Sequence, residues 1–146
     1  MKVLTVLVPT YNVEKYLRRC LDSLLLPEVF EEIEVLVVND GSKDGSADIA
    51  RAYEKKYPQT VVFVDKENGG HGSTINVGIE KAQGTYFKVL DSDDWVNIGD
   101  FIEFVKRLKE DAPGGGRGAA DNGLRDPHRL ARRALPASTV SPAGGV

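Results

Sequence analysis

Residues 33–46 read I-E-V-L-V-V-N-D-G-S-K-D-G-S, an aliphatic run interrupted only by Glu34 that stops at Asn39, Asp40 and Gly41. A short, near-continuous apolar run bounded by turn-forming residues marks a strand buried on both faces. The same pattern repeats to either side. Residues 3–8 (VLTVLV) end at Pro9-Thr10-Tyr11-Asn12, residues 61–64 (VVFV) lead to Asn68-Gly69-Gly70-His71-Gly72, and residues 86–90 (YFKVL) end at Asp91-Ser92-Asp93-Asp94-Trp95. Between these runs the apolar residues change to helical spacing. Val13, Leu17, Cys20, Leu21 and Leu24 form one stripe, Ile49, Ala50 and Tyr53 a second, and Ile75, Ile79 and Ala82 a third, with Gly84 expected as its cap. Ile98 to Leu108 supplies a fourth. Strict alternation of strand and helix predicts an α/β, Rossmann-like fold with a mainly parallel sheet and right-handed crossovers. In such sheets ligands bind beyond the carboxyl ends of the strands, where all four polar loops fall.

Length and charge narrow the function classes. The chain has 146 residues, enough for one domain, with 19 Lys and Arg against 22 Asp and Glu and a net charge of -3. That balance argues against nucleic acid as a partner, because neutralising phosphates requires a basic surface. The single Cys20 cannot form an internal disulfide, which excludes a secreted disulfide scaffold, and its place on an apolar stripe assigns it to the core. The first apolar run stops at Pro9, too short for a secretory or spanning segment, and no transmembrane segment appears elsewhere. A cytoplasmic location is expected, at the inner face of the membrane if a longer parent protein associates with it peripherally.

Composition changes abruptly near Asp111. Residues 1–111 contain 10 Lys and 4 Arg, whereas residues 112–146 contain 5 Arg and no Lys, Ile, Phe, Tyr or Trp, and 18 of them are Gly, Ala or Pro. Such a segment buries too little apolar surface to offset its ordering entropy. The expected organisation is a folded domain over 1–111 and a disordered Gly/Ala/Pro/Arg-rich tail over 112–146. The basic stretch Pro127 to Leu135 is expected to be solvated coil. The two compositions also look like two coding biases, so the folded part reads as the front of something longer.

The loops suggest chemistry. Strand alternation would point Asp91 and Asp93 the same way, with Ser92 opposite. Convergent carboxylates without nearby His or Cys suit Mg²⁺ or Mn²⁺, which complete their shells with water and phosphate oxygens. The alternative is that these aspartates cap the following helix. Asp40, followed by the permissive Gly41, could accept a hydrogen bond from a base N–H, and Asp44 or Ser46 better fits the role of helix start. Tyr11 either stacks on a planar base, with Thr10 supplying a polar contact, or packs within its loop. Gly70 and His71 open a helix whose amides suit phosphate, although G-x-G-x-x-G fails at Ile75.

Taken together, V-P-T-Y-N at 8–12, V-N-D-G-S-x-D-G-S at 38–46, N-G-G at 68–70 with Asn76 and Gly78, and D-S-D-D at 91–94 resemble a family 2 glycosyltransferase of the GT-A fold. The resemblance spans about residues 1–110. It implies inverting transfer of a sugar from a nucleotide-diphosphate donor, usually a UDP-sugar, to a hydroxyl acceptor in glycan or cell-envelope polysaccharide synthesis. It further implies that Pro9, Thr10, Tyr11, Asn12, Asp40, Gly70, His71, Asp91 and Ser92 contact the nucleotide-sugar. Within that set the resemblance makes Asp40 the uracil-binding aspartate and Asp91 the first D-x-D residue near the ribose, and outside it Asp93 is the metal ligand that with Asp91 holds Mg²⁺ or Mn²⁺.

The family normally continues well past this length with an acceptor-binding half that carries the catalytic base, and no general base is assigned here, since Asp121 and Asp126 stand in no motif. The chain is therefore expected to be an incomplete, truncated piece. Two rivals remain open. One is a haloacid-dehalogenase-like phosphotransferase with Asp91 as nucleophile and Asp93 as acid/base. The other is a non-catalytic nucleotide-binding fragment with an uncovered sheet edge.

Overall fold

In the computed structural model, which describes residues 2–111 and the backbone of Val140–Ser141, strands and helices alternate as the apolar periods require. The order is β1 (Leu4–Thr10), α1 (Leu17–Leu24), β2 (Ile33–Asp40), α2 (Ser46–Lys56), β3 (Val61–Lys66), α3 (His71–Lys81), β4 (Tyr86–Val89), β5 (Trp95–Val96), α4 (Ile98–Asp111) and β6 (Val140–Ser141). The first four strands make one parallel sheet in the order β3-β2-β1-β4. The chain moves outward from β1 to β3 and then returns to the other side of β1. This reversal creates a switch point between β1 and β4, where neighbouring loops diverge and leave a crevice.

Both faces of the sheet are covered, as the near-continuous apolar strands demand. Every residue of β1 and β2 is buried. Helix α3 lies on the face of Leu7, so close that a Cβ at Gly78 would sit 2.7 Å from the Leu7 methyls. Helix α2 lies on the opposite face, where Arg51 stacks 5.1 Å over Phe63, and α1 packs beside it. Phe101 of α4 is fully buried. Removing such a ring from water contributes about 1.5–3 kcal/mol.

Pro9 in a central strand is permitted by register. Val3, just before β1, and Leu7 within it direct their carbonyls to Tyr86 and Leu90, so by alternation Pro9 would direct its missing N–H to the same side. There β4 has already ended at Val89, and Pro9 pairs only with Val38. No ladder bond is lost.

Three local expectations differ from the structure. Gly84 does not cap α3, whose C-cap is Ala82. Gly84 is instead required by proximity: a Cβ there would meet Thr5 N at 2.5 Å and Leu4 C at 2.7 Å. The stripe from Val13 becomes helix only at Leu17, because Tyr16 N and Leu17 N both return to Val13 O in a preceding turn. The short strand β5 was not legible, since two residues carry no period; it pairs antiparallel with β6, and Arg19 stacks 4.4 Å over Trp95. The expected disordered tail otherwise lies outside the described residues. Among the described residues, no helix is long and apolar enough to cross a membrane.

Candidate functional site

A cavity of about 600 Å³ opens at the carboxyl edge of the sheet. Pro9, Thr10 and Tyr11 line it from the end of β1, Asp40 from the end of β2, Asn68, Gly70, His71 and Thr74 from the approach to α3, and Asp91, Ser92 and Asp93 from the loop after β4. This volume suits a ligand of nucleotide size. Nearly all the residues expected there from the sequence do meet. Asn12 does not line it: with φ of 51°, it turns back so that its Oδ1 accepts from Lys43 N at 2.8 Å. Thr74, which lines the cavity, and Lys66, which reaches Asp40 from outside it, are not among the residues the sequence singles out. Thr74 could have been found one helical turn after Gly70, and Lys66 from its register opposite Asp40 across β2 and β3.

Asp40 is only 5% exposed and organises the loop that faces it. Its Oδ1 accepts from Lys66 Nζ at 2.9 Å and from Gly69 N at 2.8 Å, and its Oδ2 accepts from Gly70 N at 2.9 Å. Asn68 Nδ2 donates to the Asp40 carbonyl at 3.0 Å. Gly41 has φ of 74°, and a side chain there would press on Asn68, so the glycine is needed for the turn and for the contact alike. Burial pushes the Asp40 carboxyl up, but the hydrogen bonds from Lys66, Gly69 and Gly70 and the charge of Lys66 outweigh it and hold it below the usual carboxylate range. One expectation changes as a result. The amides of Gly69 and Gly70 are already taken by Asp40 and are not available to phosphate.

The remaining polar residues of the 38–46 motif stitch two loops together. Asn12 N donates to Ser42 Oγ at 3.0 Å, Val13 N to Ser46 Oγ at 2.9 Å, and Glu14 N to Asp44 Oδ2 at 3.1 Å. Asp44 Oδ1 also accepts from Ser46 N at 2.9 Å, at the first residue of α2. Tyr11, 48% exposed, projects from the loop held in this way. Burial pushes the Asp44 carboxyl up, but the hydrogen bonds from Ser46 and Glu14 together outweigh it and hold it below the usual carboxylate range. The N-cap of α2 is Gly45, so Asp44 acts one residue earlier as a loop acceptor, and Asp44→Ala is expected to cost about 1 kcal/mol in a thermal melt, the usual net scale of a lost hydrogen-bonding group. Because the folded-state value is depressed, this contribution is complete above the unfolded value of about 3.9 and is lost as pH falls through the folded one. The gap in melting temperature between wild type and variant should therefore close as the pH is taken down through that range.

Beyond β4 the strand geometry assumed for the D-S-D-D segment does not persist. Residues 91–94 form a turn closed by Asp94 N donating to Asp91 O at 2.9 Å, so alternation is not what gathers the acids, and Ser92 lines the cavity beside Asp91 and Asp93. The turn nonetheless brings carboxylate oxygens of Asp91, Asp93 and Asp94 within 4.8 Å of one another. Three all-oxygen donors at this spacing fit a hard divalent cation such as Mg²⁺ or Mn²⁺. Cys20 lies in the core beneath them, and burial together with the charges of Asp94, Asp93 and Asp91 pushes its thiol far up. A thiol held protonated in this way is inert.

Residues 5–139 match the model of glycosyl transferase family 2. The chain belongs to that family. It is 40% identical over 108 residues to the glycosyltransferase GlyA of Streptococcus pneumoniae, covering 73% of this chain and 15% of GlyA. Against the minor teichoic acid biosynthesis protein GgaB of Bacillus subtilis it is 42% identical over 107 residues, 73% of this chain and 12% of GgaB. The chain thus spans a small part of the curated relatives it matches. Among solved structures, TarS 1-349 of S. aureus in complex with UDP-GlcNAc superposes with a TM-score of 0.64 at 35% identity, covering 75% of this chain and 32% of that one. The mannosyltransferase PcManGT of Pyrobaculum calidifontis, in complex with GDP-Man and Mn²⁺, gives 0.62 at 27% identity, with 72% and 32% covered. These likenesses bear out the GT-A reading of the α/β fold. Membership in the family displaces the phosphotransferase alternative, which used only Asp91 and Asp93.

Proposed function

We propose that the chain forms the donor-binding part of an inverting glycosyltransferase that moves a sugar from a UDP-sugar to a hydroxyl acceptor during synthesis of a cell-envelope polysaccharide. The observation that carries this reading is the gathering, around one cavity, of a buried acceptor at Asp40, an exposed ring at Tyr11 and the carboxylates of Asp91 and Asp93, which cluster with that of Asp94. Tyr11 stacks on the base while Asp40 accepts its N–H. Thr10 and Pro9 form the floor beneath, the hydroxyl of Thr10 being fixed by donation to Val8 O at 3.1 Å. Asp91 and Ser92 face the ribose and diphosphate, and His71 with Gly70 closes the side formed by α3. Asp93 and Asp91 hold Mg²⁺ or Mn²⁺, which when bound supplies Lewis acidity that neutralises charge on the departing diphosphate.

Inversion requires a base to take the proton of the acceptor hydroxyl. None of the described residues is assigned that role, and the acceptor half is proposed to correspond to the large share of the relatives that this chain does not span. The chain alone is accordingly expected to bind donor without appreciable turnover. Calorimetric titration with UDP tests the reading. Binding in Mn²⁺ that weakens at least about tenfold in chelator supports it, given that metal and carboxylates act together on phosphate oxygens. Equal affinity with and without metal, or no binding at all, counts against it.

A further inference from the structure

We propose that Lys66 selects the base of the donor: by occupying Oδ1 of Asp40 it leaves the carboxylate a single free acceptor site, which matches the one imide N–H of uracil and not the paired N–H donors of guanine. This rests on the donor reading above and adds to it the residue that decides between bases.

An ionised carboxylate offers about four lone-pair sites. On Asp40, Lys66 Nζ and Gly69 N take both sites of Oδ1, and Gly70 N takes one of Oδ2. One site remains. The Lys66 side chain is 16% exposed and that of Asp40 7%, so the pair is shielded and water does not readily substitute for either partner. Register keeps them together, because Asp40 and Lys66 are the last paired residues of β2 and β3. Lys66 does not line the donor cavity but a separate hollow of about 430 Å³ with Asn39, Ser42 and Asp65. It therefore acts through Asp40, pinning the carboxylate without itself touching the base, and is a positioning residue.

Uracil carries one ring N–H flanked by carbonyls, and one acceptor satisfies it. Guanine presents N1–H and N2–H side by side and needs two. Against Asp40 as held here, one guanine donor is stripped of water and left unpaired, which weakens binding by roughly tenfold or more.

The 146-residue chain is titrated with UDP and with GDP in Mn²⁺. Wild type is expected to bind UDP at least about tenfold tighter than GDP. Lys66→Met removes the pinning donor: both affinities fall with the lost charge, but their ratio collapses toward one, and Lys66→Arg, which keeps charge and donors, restores it. Lys66→Ala provides a second truncation, with circular dichroism reporting the fold of each variant. A lysine serving the fold alone would scale both affinities by the same factor, and an unchanged ratio in the truncated variants overturns the proposal. So does a wild type that binds GDP as tightly as UDP. Failure of wild type to bind either nucleotide overturns the donor reading itself, a result distinguishable from lost discrimination.

Discussion

Asp93→Ala is expected to lower the affinity for UDP in Mn²⁺ by about a hundredfold, the scale on which removal of a metal-supporting group acts, while leaving the weak affinity in chelator unchanged. The physical reason is the crowding of charge. Oxygens of Asp91, Asp93 and Asp94 lie within 4.8 Å of one another, so their negative charges repel one another unless a cation sits among them. Removing one therefore has two consequences of opposite sign. Metal binding is lost, and without metal the repulsion is relieved, so the variant's melting temperature in chelator should equal or exceed that of wild type. Added Mn²⁺ should raise the melting temperature of wild type and not that of the variant, because only a native state with the site intact gains from the ion. Asp48→Ala, on the exposed face of α2 and far from the cluster in sequence, serves as the control that leaves UDP binding intact. A variant at Asp93 that still binds UDP in a Mn²⁺-dependent manner would remove this residue from the metal site.

Gly84→Ala is expected to destabilise the fold by about 3 kcal/mol or more, lowering the melting temperature by more than about 10 °C. The new methyl would lie 2.5 Å from Thr5 N, 2.7 Å from Leu4 C and 2.8 Å from Thr5 Oγ1. Two of these atoms are backbone of the central strand, which cannot yield without disturbing both neighbours. The same displacement would break a buried polar set. Gly84 N donates to Thr5 Oγ1 at 2.9 Å, Thr5 Oγ1 donates to Glu34 Oε1 at 2.8 Å, and Gln83 N donates to that oxygen at 3.0 Å. Glu34, the one interruption of the β2 run, is 4% exposed and depends on these donors. Gly72→Ala is the matched comparison: nothing lies within 4 Å of a Cβ there, and the change is expected to alter stability by less than about 1 kcal/mol. A melt in which the two variants behave alike would show that the approach of residue 84 to β1 is not a constraint on the fold.

The order and kind of the helices and of strands β1 to β4 could be read from the chain because each of those strands is rich in apolar residues and each helix carries a 3.6-residue stripe, properties that local sequence fixes. The edge on which the site lies followed from the same pattern, since parallel strands send all their following loops to one side. Asp91 and Asp93 were expected to converge for the wrong reason: the strand stops at Val89, and it is a turn that joins their oxygens. Asn12 was placed with the ligand because its neighbours are there, whereas its left-handed backbone turns it toward Lys43.

By itself the sequence determined the parallel α/β sheet, the polar edge, and the identities of Tyr11, Asp40, Asp91 and Asp93 as the residues to examine there, because spacing along the chain encodes which side of an element each residue occupies. Only the tertiary structure decided what Asp40 is bound to. Lys66, Gly69 and Gly70 reach it from a different strand and the loop that follows, and hydrogen bonds between segments more than 25 residues apart leave no period in the chain. The same holds for Gly84, which resembles a helix cap in one dimension and is a point of backbone contact in three.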